Sequence, residues 1–329
     1  MRTAFTAAQL EDPGLAEAAA AVRGCVHCGL CNATCPTYQV LGDERDGPRG
    51  RIQLMQRMLE ANATPSATVV RHVDRCLSCL SCRTTCPSSV DYLRLVDEAR
   101  AHIAQTYRRP ASERWFRTFL ATVLPRPALF RLAMKAAPLA RPLGRLLPAP
   151  FRRMAALAPT SPPDGEAPEP GVYPAHGERR MRVALLRGCV QRVLAPEIDR
   201  AAIRLLNRLG AEVVVPAGSG CCGALNHHMG LEASARRAAK ANIAAWSKVL
   251  ENGGLDRIVV TASGCGTLVK DYAHLLGHEP GWVFRAGKLG PLARDICELA
   301  EELGYRGQAP EPVAVAYHAA CSLQHGQRL

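Results

Sequence analysis

The chain has 329 residues, 48% of them hydrophobic, which is more than one typical domain and enough apolar content for ordinary cores. No apolar run approaches the roughly 20 uninterrupted residues of a membrane-spanning helix, so a soluble or peripheral protein is expected. Net charge is +12 with 14 cysteines. The stretch Thr3 to Glu11 offers neither the apolar core nor the cleavage site of an export signal, so the cysteines read as reduced thiols for metal rather than as disulfides.

In chain order, Asp12 is placed to cap a helix with Pro13 at its first position, running through the alanines to about Val22; residues 1–20 are expected to form an N-terminal helix and tail. Cys25, Cys28, Cys31 and Cys35, then Cys76, Cys79, Cys82 and Cys86, spell C-x2-C-x2-C-x3-C twice, closed by Pro36 and Pro87. A [4Fe-4S] cubane needs four thiolates at tetrahedral corners, and one tight loop supplies three. In two-cluster ferredoxins the cysteine before the proline ligates the other cluster. Cys25, Cys28, Cys31 and Cys86 are therefore assigned to one cluster, and Cys76, Cys79, Cys82 and Cys35 to the second. Structural zinc is the alternative, but zinc gives no reason for two identical runs each ending in Cys-Pro.

Between the runs, Pro48 to Ala63 carries Ile52, Leu54, Met55, Met58 and Leu59 on a helical period, and a further helix fits Tyr92 to Ala104. Residues 21–106 are thus expected to form an α-helical domain with its clusters on loops. Residues 107–180 read as a connector. From Arg108 to Arg153 there are ten arginines and Lys135 against one acid, Glu113. Apolar residues such as Trp115, Phe116, Phe119, Leu132 and Phe151 are interleaved with them. Short helices there would be basic on one side and apolar on the other. They would brace the two domains, lie on anionic lipid or an acidic partner, or meet nucleic acid, for which no recognised motif is present. Pro159 to Glu178 turns to Pro, Gly and acid and reads as a flexible linker.

Residues 181–329 change pattern. Val183 to Leu186, Val213 to Val215, Ile258 to Ala262 and Val313 to Tyr317 read as strands. They alternate with helices at about Pro196 to Leu209, Glu232 to Leu250, Thr267 to Leu276 and Leu292 to Leu303. Such alternation argues for a parallel α/β sheet. Cys189, Cys221 with Cys222, Cys265 and Cys321 each follow a strand, and open parallel sheets bind ligands at strand carboxyl ends. These five thiols, with His228, are read as an additional redox or metal site, where Gly218, Gly220 and Gly223 would let backbone approach a cofactor. His227 and His228 are candidates for metal ligation or proton shuttling, with solvated loop positions as the alternative. Cys297, beside Leu292, Ile296, Leu299 and Leu303, reads as core. There is no phosphate loop, so no substrate chemistry is expected in this chain.

Two C-x2-C-x2-C-x3-C-P runs followed by Gly188-Cys189, Cys221-Cys222-Gly223 and Ser263-Gly264-Cys265 resemble the cysteine-rich (CCG) electron-transfer subunits related to heterodisulfide reductase. Within that group, Cys25 to Pro36, Gly47 to Ile52, Asp74 to Leu77 and Cys221 to Ala224 with His228 are similar to the iron-sulfur subunits of glycolate oxidase, a glycolate dehydrogenase. The resemblance implies a multidomain fold: an α-helical ferredoxin domain with two [4Fe-4S] clusters, then an α/β cysteine-rich (CCG) domain whose second repeat is truncated just after His318 to Cys321. It implies a third Fe-S cluster as a further candidate cofactor, and partners comprising an FAD-binding catalytic subunit and a second flavoprotein-like subunit. The implied role is electron relay from glycolate oxidation toward quinone, at the inner face of the cytoplasmic membrane. The alternatives are the same relay for lactate, glycerol 3-phosphate or a thiol/disulfide couple, or a nucleic-acid-binding or redox-sensing iron-sulfur protein.

Overall fold

The computed structural model describes the chain except for residues 141–147, 160–164 and 308–310. The parts of the connector and linker at those numbers lie outside the described residues. Two compact units are present. A helical unit comprises Met1–Arg108, Asn226–Glu232 and Ala319–Leu329, and a sheet unit comprises Arg109–Leu225 and Ala233–His318.

In the helical unit the first helix runs Pro13–Gly24, and the Asp12 carboxylate accepts from the Leu15 N–H at 3.0 Å. Its small face, Ala18, Ala21 and Val22, packs into the same core as the other helices. Residues before it also dock: Gln9 donates to the carbonyl of Leu59 at 3.0 Å. Pro48–Ala61 buries Ile52, Met55, Met58 and Leu59 against Leu95, Val96, Ala99 and Ile103 of the Tyr92–Thr106 helix. Each such burial contributes about 1.5–3 kcal/mol. A helix that periodicity did not mark, Ala67–Asp74, closes this core with Val70 and Val73.

His227 departs from a solvated loop position. It lies in the Ala224–His228 helix and is only 5% exposed, with Nε2 3.1 Å from Asp97 Oδ2 and Nδ1 2.9 Å from Glu232 Oε1. Burial disfavours its cation, but the Asp97 charge outweighs that and, with Glu232, raises the imidazole to about 10. Asp97 is lowered in turn, its own burial being outweighed by His227. His228 stays half-exposed, 3.8 Å from Asp97.

The sheet unit holds five strands: β1 (Gly171–Tyr173), β2 (Met181–Leu185), β3 (Ala211–Val215), β4 (Arg257–Val260) and β5 (Ala293–Asp295), ordered β1-β3-β2-β4-β5. The pairs β2–β3, β2–β4 and β4–β5 are parallel, with Val183 opposite Val213 and Ile258 opposite Ala293. The sheet is mixed rather than wholly parallel, because β1 pairs antiparallel to β3, Val172 opposite Val214. β1 arises inside the expected linker, where Pro/Gly composition hides a three-residue edge strand.

Alternate residues serve two cores, as the two-residue period of a strand requires. Val183, Leu185, Val213 and Val259 face Ile203, Leu206 and Leu299, whereas Ala184, Leu186, Ile258 and Val260 face Trp246, Tyr272 and Leu276. Trp246 is fully buried, its ring centroid 6.1 Å from that of Tyr272.

Three further expectations fail here. Val313 to Tyr317 forms no strand: Val313, Val315 and Tyr317 are 70%, 82% and 83% exposed. The edge beside β4 is taken by β5, from the start of the expected Leu292 to Leu303 helix, which begins only at Ile296. Cys297 is exposed rather than core, because it sits off the Leu299–Ala300 face that the helix buries.

The connector contributes helices at Ala111–Val123, Pro127–Ala140 and Ala149–Leu157. Phe116 and Phe119 meet Phe151 edge-on at 5.2 and 5.4 Å, while Trp115, Leu132 and Leu157 remain exposed. Among the described residues, no helix is long and apolar enough to cross a membrane.

A group whose folded pKa is raised contributes stability that is complete below its unfolded value and fades as pH rises through the folded one. The advantage of the wild type over His227→Gln is therefore expected to be about 3 kcal/mol at pH 6. It should shrink as pH rises from 6.5 toward about 10, as read by urea denaturation at each pH.

Candidate metal centres

The two cysteine runs adopt the same local backbone. Residues on either side of the second cysteine take left-handed angles in both: His27 (φ 60°) and Gly29 (φ 85°) around Cys28, Ser78 (φ 50°) and Leu80 (φ 61°) around Cys79. For residues other than glycine this conformation costs about 1–2 kcal/mol each. The cost is met because each loop must curl tightly enough for three thiols to face inward. Gly29 is further constrained, since a Cβ there would lie 2.5 Å from Arg49 Nη1.

Each loop ends in a short turn, Leu30–Thr34 and Ser81–Thr85, and the two turns join where Thr85 Oγ1 donates to Thr34 Oγ1 at 3.2 Å. Those threonines precede Cys35 and Cys86, so the bond carries each fourth cysteine to the opposite loop. Cys25, Cys28, Cys31 and Cys86 line a hollow of about 440 Å³, and Cys35, Cys76 and Cys79 line a second of about 310 Å³, with Cys82 on the wall of both. All eight thiols are free. Burial, then Cys25 and its neighbours, push Cys31 up to about 11; burial likewise raises Cys79 and Cys82. Thiols so crowded and desolvated can ionise together only around a cation, and the donor set fits an iron-sulfur group.

Sequence reasoning missed the residues behind these walls. Arg51, 1% exposed, places Nη1 3.8 Å from Cys35 Sγ, and Tyr92, 3% exposed, places its hydroxyl 3.7 Å from Cys76 Sγ. Arg100 pins the second loop, donating to Cys76 O at 2.7 Å and Ser78 Oγ at 2.6 Å. Arg51 had a legible signal: a cation among the apolar positions of its helix. Asp43, Asp46 and His72 also converge, but Arg51 and Arg75 reach Asp46 at 3.5 and 2.8 Å, so their own charges occupy that place.

In the sheet unit the strand order reverses between β2 and β4, the switch point at which open α/β sheets form ligand crevices. Cys189 follows β2, Cys221 and Cys222 follow β3, and Cys265 follows β4. The four thiols are near enough to perturb one another's ionisation in sequence, Cys189 with Cys221, Cys221 with Cys222, and Cys222 with Cys265. Contact with Cys221 and burial push Cys189 and Cys222 up. Cys221 is pulled down by the neighbouring Cys189 and Cys222 thiols and by the Gly223 N–H, 3.4 Å from its sulfur.

Cys321 and His228 belong to the helical unit, where Cys321 stands near Cys79. Gly223 (φ 92°) serves a close approach to the Ala235 carbonyl, which a Cβ would meet at 3.0 Å, whereas a Cβ at Gly218 or Gly220 would meet no atom within 4 Å.

Asn242, fully buried and absent from sequence reasoning, organises the Cys221–Cys222 loop. It donates to Cys221 O at 2.9 Å and to Tyr272 Oη at 3.1 Å, and accepts from Gly220 N at 2.8 Å and Ser219 Oγ at 3.1 Å. Tyr272 Oη donates onward to Cys222 O at 2.8 Å.

The profile of the 4Fe-4S dicluster domain matches residues 21–90, and that of the cysteine-rich (CCG) domain matches residues 183–270. Together these modules define an iron-sulfur protein of the electron-transfer class. The chain is 40% identical over its full length to the glycolate oxidase iron-sulfur subunit of Escherichia coli (strain K12), covering 78% of that protein. It is 31% identical over 92% of its length to the probable glycolate oxidase iron-sulfur subunit of Bacillus subtilis (strain 168), covering 71% of it. Lactate utilization protein A of the same Bacillus strain is 33% identical over 36% of the chain, covering 48% of that protein. No solved structure matches. The chain belongs to the family of glycolate oxidase iron-sulfur subunits.

Asn242→Leu keeps the volume but strands several buried polar groups, so a loss of about 2–4 kcal/mol is expected. Denaturation midpoints together with hydrogen exchange at Gly220 check it; an unchanged Gly220 amide would rule out this role.

Proposed function

We propose that this chain is the electron relay of a glycolate-oxidising complex, with two [4Fe-4S] clusters held crosswise, Cys25, Cys28, Cys31 and Cys86 on one, Cys76, Cys79, Cys82 and Cys35 on the other. The observation that carries the reading is the lining of the two hollows, each of which includes a cysteine from the opposite run. Bound clusters accept and release one electron at a time. The chain's own residues hold the thiols in place: the left-handed loop positions aim them, the Thr34–Thr85 bond crosses the fourth ligands, and Arg100 fixes the second loop. FAD belongs to a partner catalytic subunit, beside a second flavoprotein-like subunit, and quinone is the acceptor. Cys189, Cys221, Cys222 and Cys265 are the residues that would hold a third iron-sulfur group.

The basic segment Arg108–Arg153 is proposed to rest on anionic lipid at the inner face of the cytoplasmic membrane. Its exposed Trp115 and Leu132 lie among arginines, the composition of an interfacial helix.

Iron and acid-labile sulfide analysis of the anaerobically purified full chain is expected to give about eight irons from the two runs, and zinc in place of iron would overturn the relay. Crossed ligation predicts that Cys86→Ser and Cys28→Ser abolish the same EPR signal of the reduced protein, while Cys35→Ser and Cys79→Ser abolish the other. The reverse pairing would sink the crossing.

For the membrane contact, replacing the arginines of Arg108–Arg153 by glutamine should release the protein from phosphatidylserine vesicles, at about 1 kcal/mol per residue removed. Unchanged cosedimentation would exclude that role.

A further inference from the structure

We propose that Arg51 and Tyr92 are positioning residues that hold the centre at Cys35, Cys76, Cys79 and Cys82 at a higher reduction potential than the centre at Cys25, Cys28, Cys31 and Cys86. The inference rests on the two-cluster reading above and adds an order to the two centres.

Polar groups are distributed unequally between the two hollows. At the second, the Arg51 guanidinium is almost fully buried and triply anchored: Nε donates to His72 O at 2.7 Å, Nη2 to Thr37 Oγ1 at 3.0 Å, and Nη1 lies 3.8 Å from Cys35 Sγ. Thr37 Oγ1 is itself 3.2 Å from that sulfur. From the other side the Tyr92 hydroxyl reaches Cys76 Sγ at 3.7 Å. Among the described residues, no side-chain hydrogen bond reaches the sulfur of Cys25, Cys28, Cys31 or Cys86. His27, Arg49 and Tyr92 also line the first hollow, but the Arg49 Nε is taken by Glu44 at 2.6 Å and the Tyr92 hydroxyl by Cys76.

Reduction adds one negative charge to a centre. A buried cation and an O–H dipole aimed at its sulfurs lower the cost of that charge, and do so more strongly away from water. Asp46 does not cancel the Arg51 charge, because the same carboxylate also pairs with Arg75 at 2.8 Å and accepts from His72 at 2.9 Å.

The test is an EPR-monitored redox titration of the full chain, purified anaerobically with its clusters. Tyr92→Phe retains the ring and removes only the hydroxyl. It is expected to move one titrating step to lower potential and leave the other in place, and the displaced step should be the one whose signal Cys79→Ser removes. Arg51→Gln should displace the same step further in the same direction; if that variant fails to keep its iron, Tyr92→Phe decides alone. Full iron content with neither step displaced, or with displacement of the step that Cys28→Ser removes, overturns the proposal alone. A wild type holding fewer than two clusters overturns the two-cluster reading, and the proposal with it.

Discussion

The helical unit is organised around a single buried charge. Asp46 is fully shielded from water, and burial of a lone carboxylate would be prohibitive. Its pKa is held down against that burial by His72 at 2.9 Å and Arg75 at 2.8 Å, and Arg51 stands 3.5 Å away. Through these contacts one side chain ties the Glu44–Asp46 turn to the Pro48–Ala61 and Ala67–Asp74 helices. Removing one partner of such a group costs about 3–5 kcal/mol, because the others are left buried and unpaired. Arg51 then extends from this node to Cys35, so the charge that fixes the helices also fixes the polar environment of a thiol.

The sheet unit solves a similar problem by topology. Strands that bury alternate residues on both faces leave only their ends for chemistry, and reversal of strand order between β2 and β4 opens a crevice there. Four thiols reach one another because three parallel strands end at the same edge. Asn242 satisfies the backbone of the Cys221–Cys222 loop at Cys221 O and Gly220 N, while the two sulfurs accept from the Gly223 and Ala224 N–H groups at 3.4 Å. The chain thus places cysteines in two ways: by tight repeated loops in one unit, and by convergent strand ends in the other.

Much of this was legible in the residues. Asp12-Pro13 marked a helix start, the stripe Ile52, Met55, Met58 and Leu59 marked a buried helix face, and Val183 to Leu186 marked a strand, because capping and periodicity are local. The Ala67–Asp74 helix escaped because only Val69, Val70 and Val73 carry its period. β1 escaped because a three-residue edge strand depends on the neighbour that it pairs with, not on its own composition. Val313 to Tyr317 failed in the opposite sense: its apolar residues suit a strand, but Ala293–Asp295 occupies the edge beside β4.

The sequence by itself determined which thiols share a loop, since cysteines three residues apart in a tight turn cannot separate, and it determined the alternation that builds a two-faced sheet. Only the tertiary structure decided that Arg51 reaches Cys35, that the Tyr92 hydroxyl reaches Cys76, and that His227 is buried between Asp97 and Glu232 rather than solvated. The reason is physical: spacing constrains neighbours along the chain, whereas contacts across many residues, and the charges that burial tolerates, are set by which helices and strands share a core.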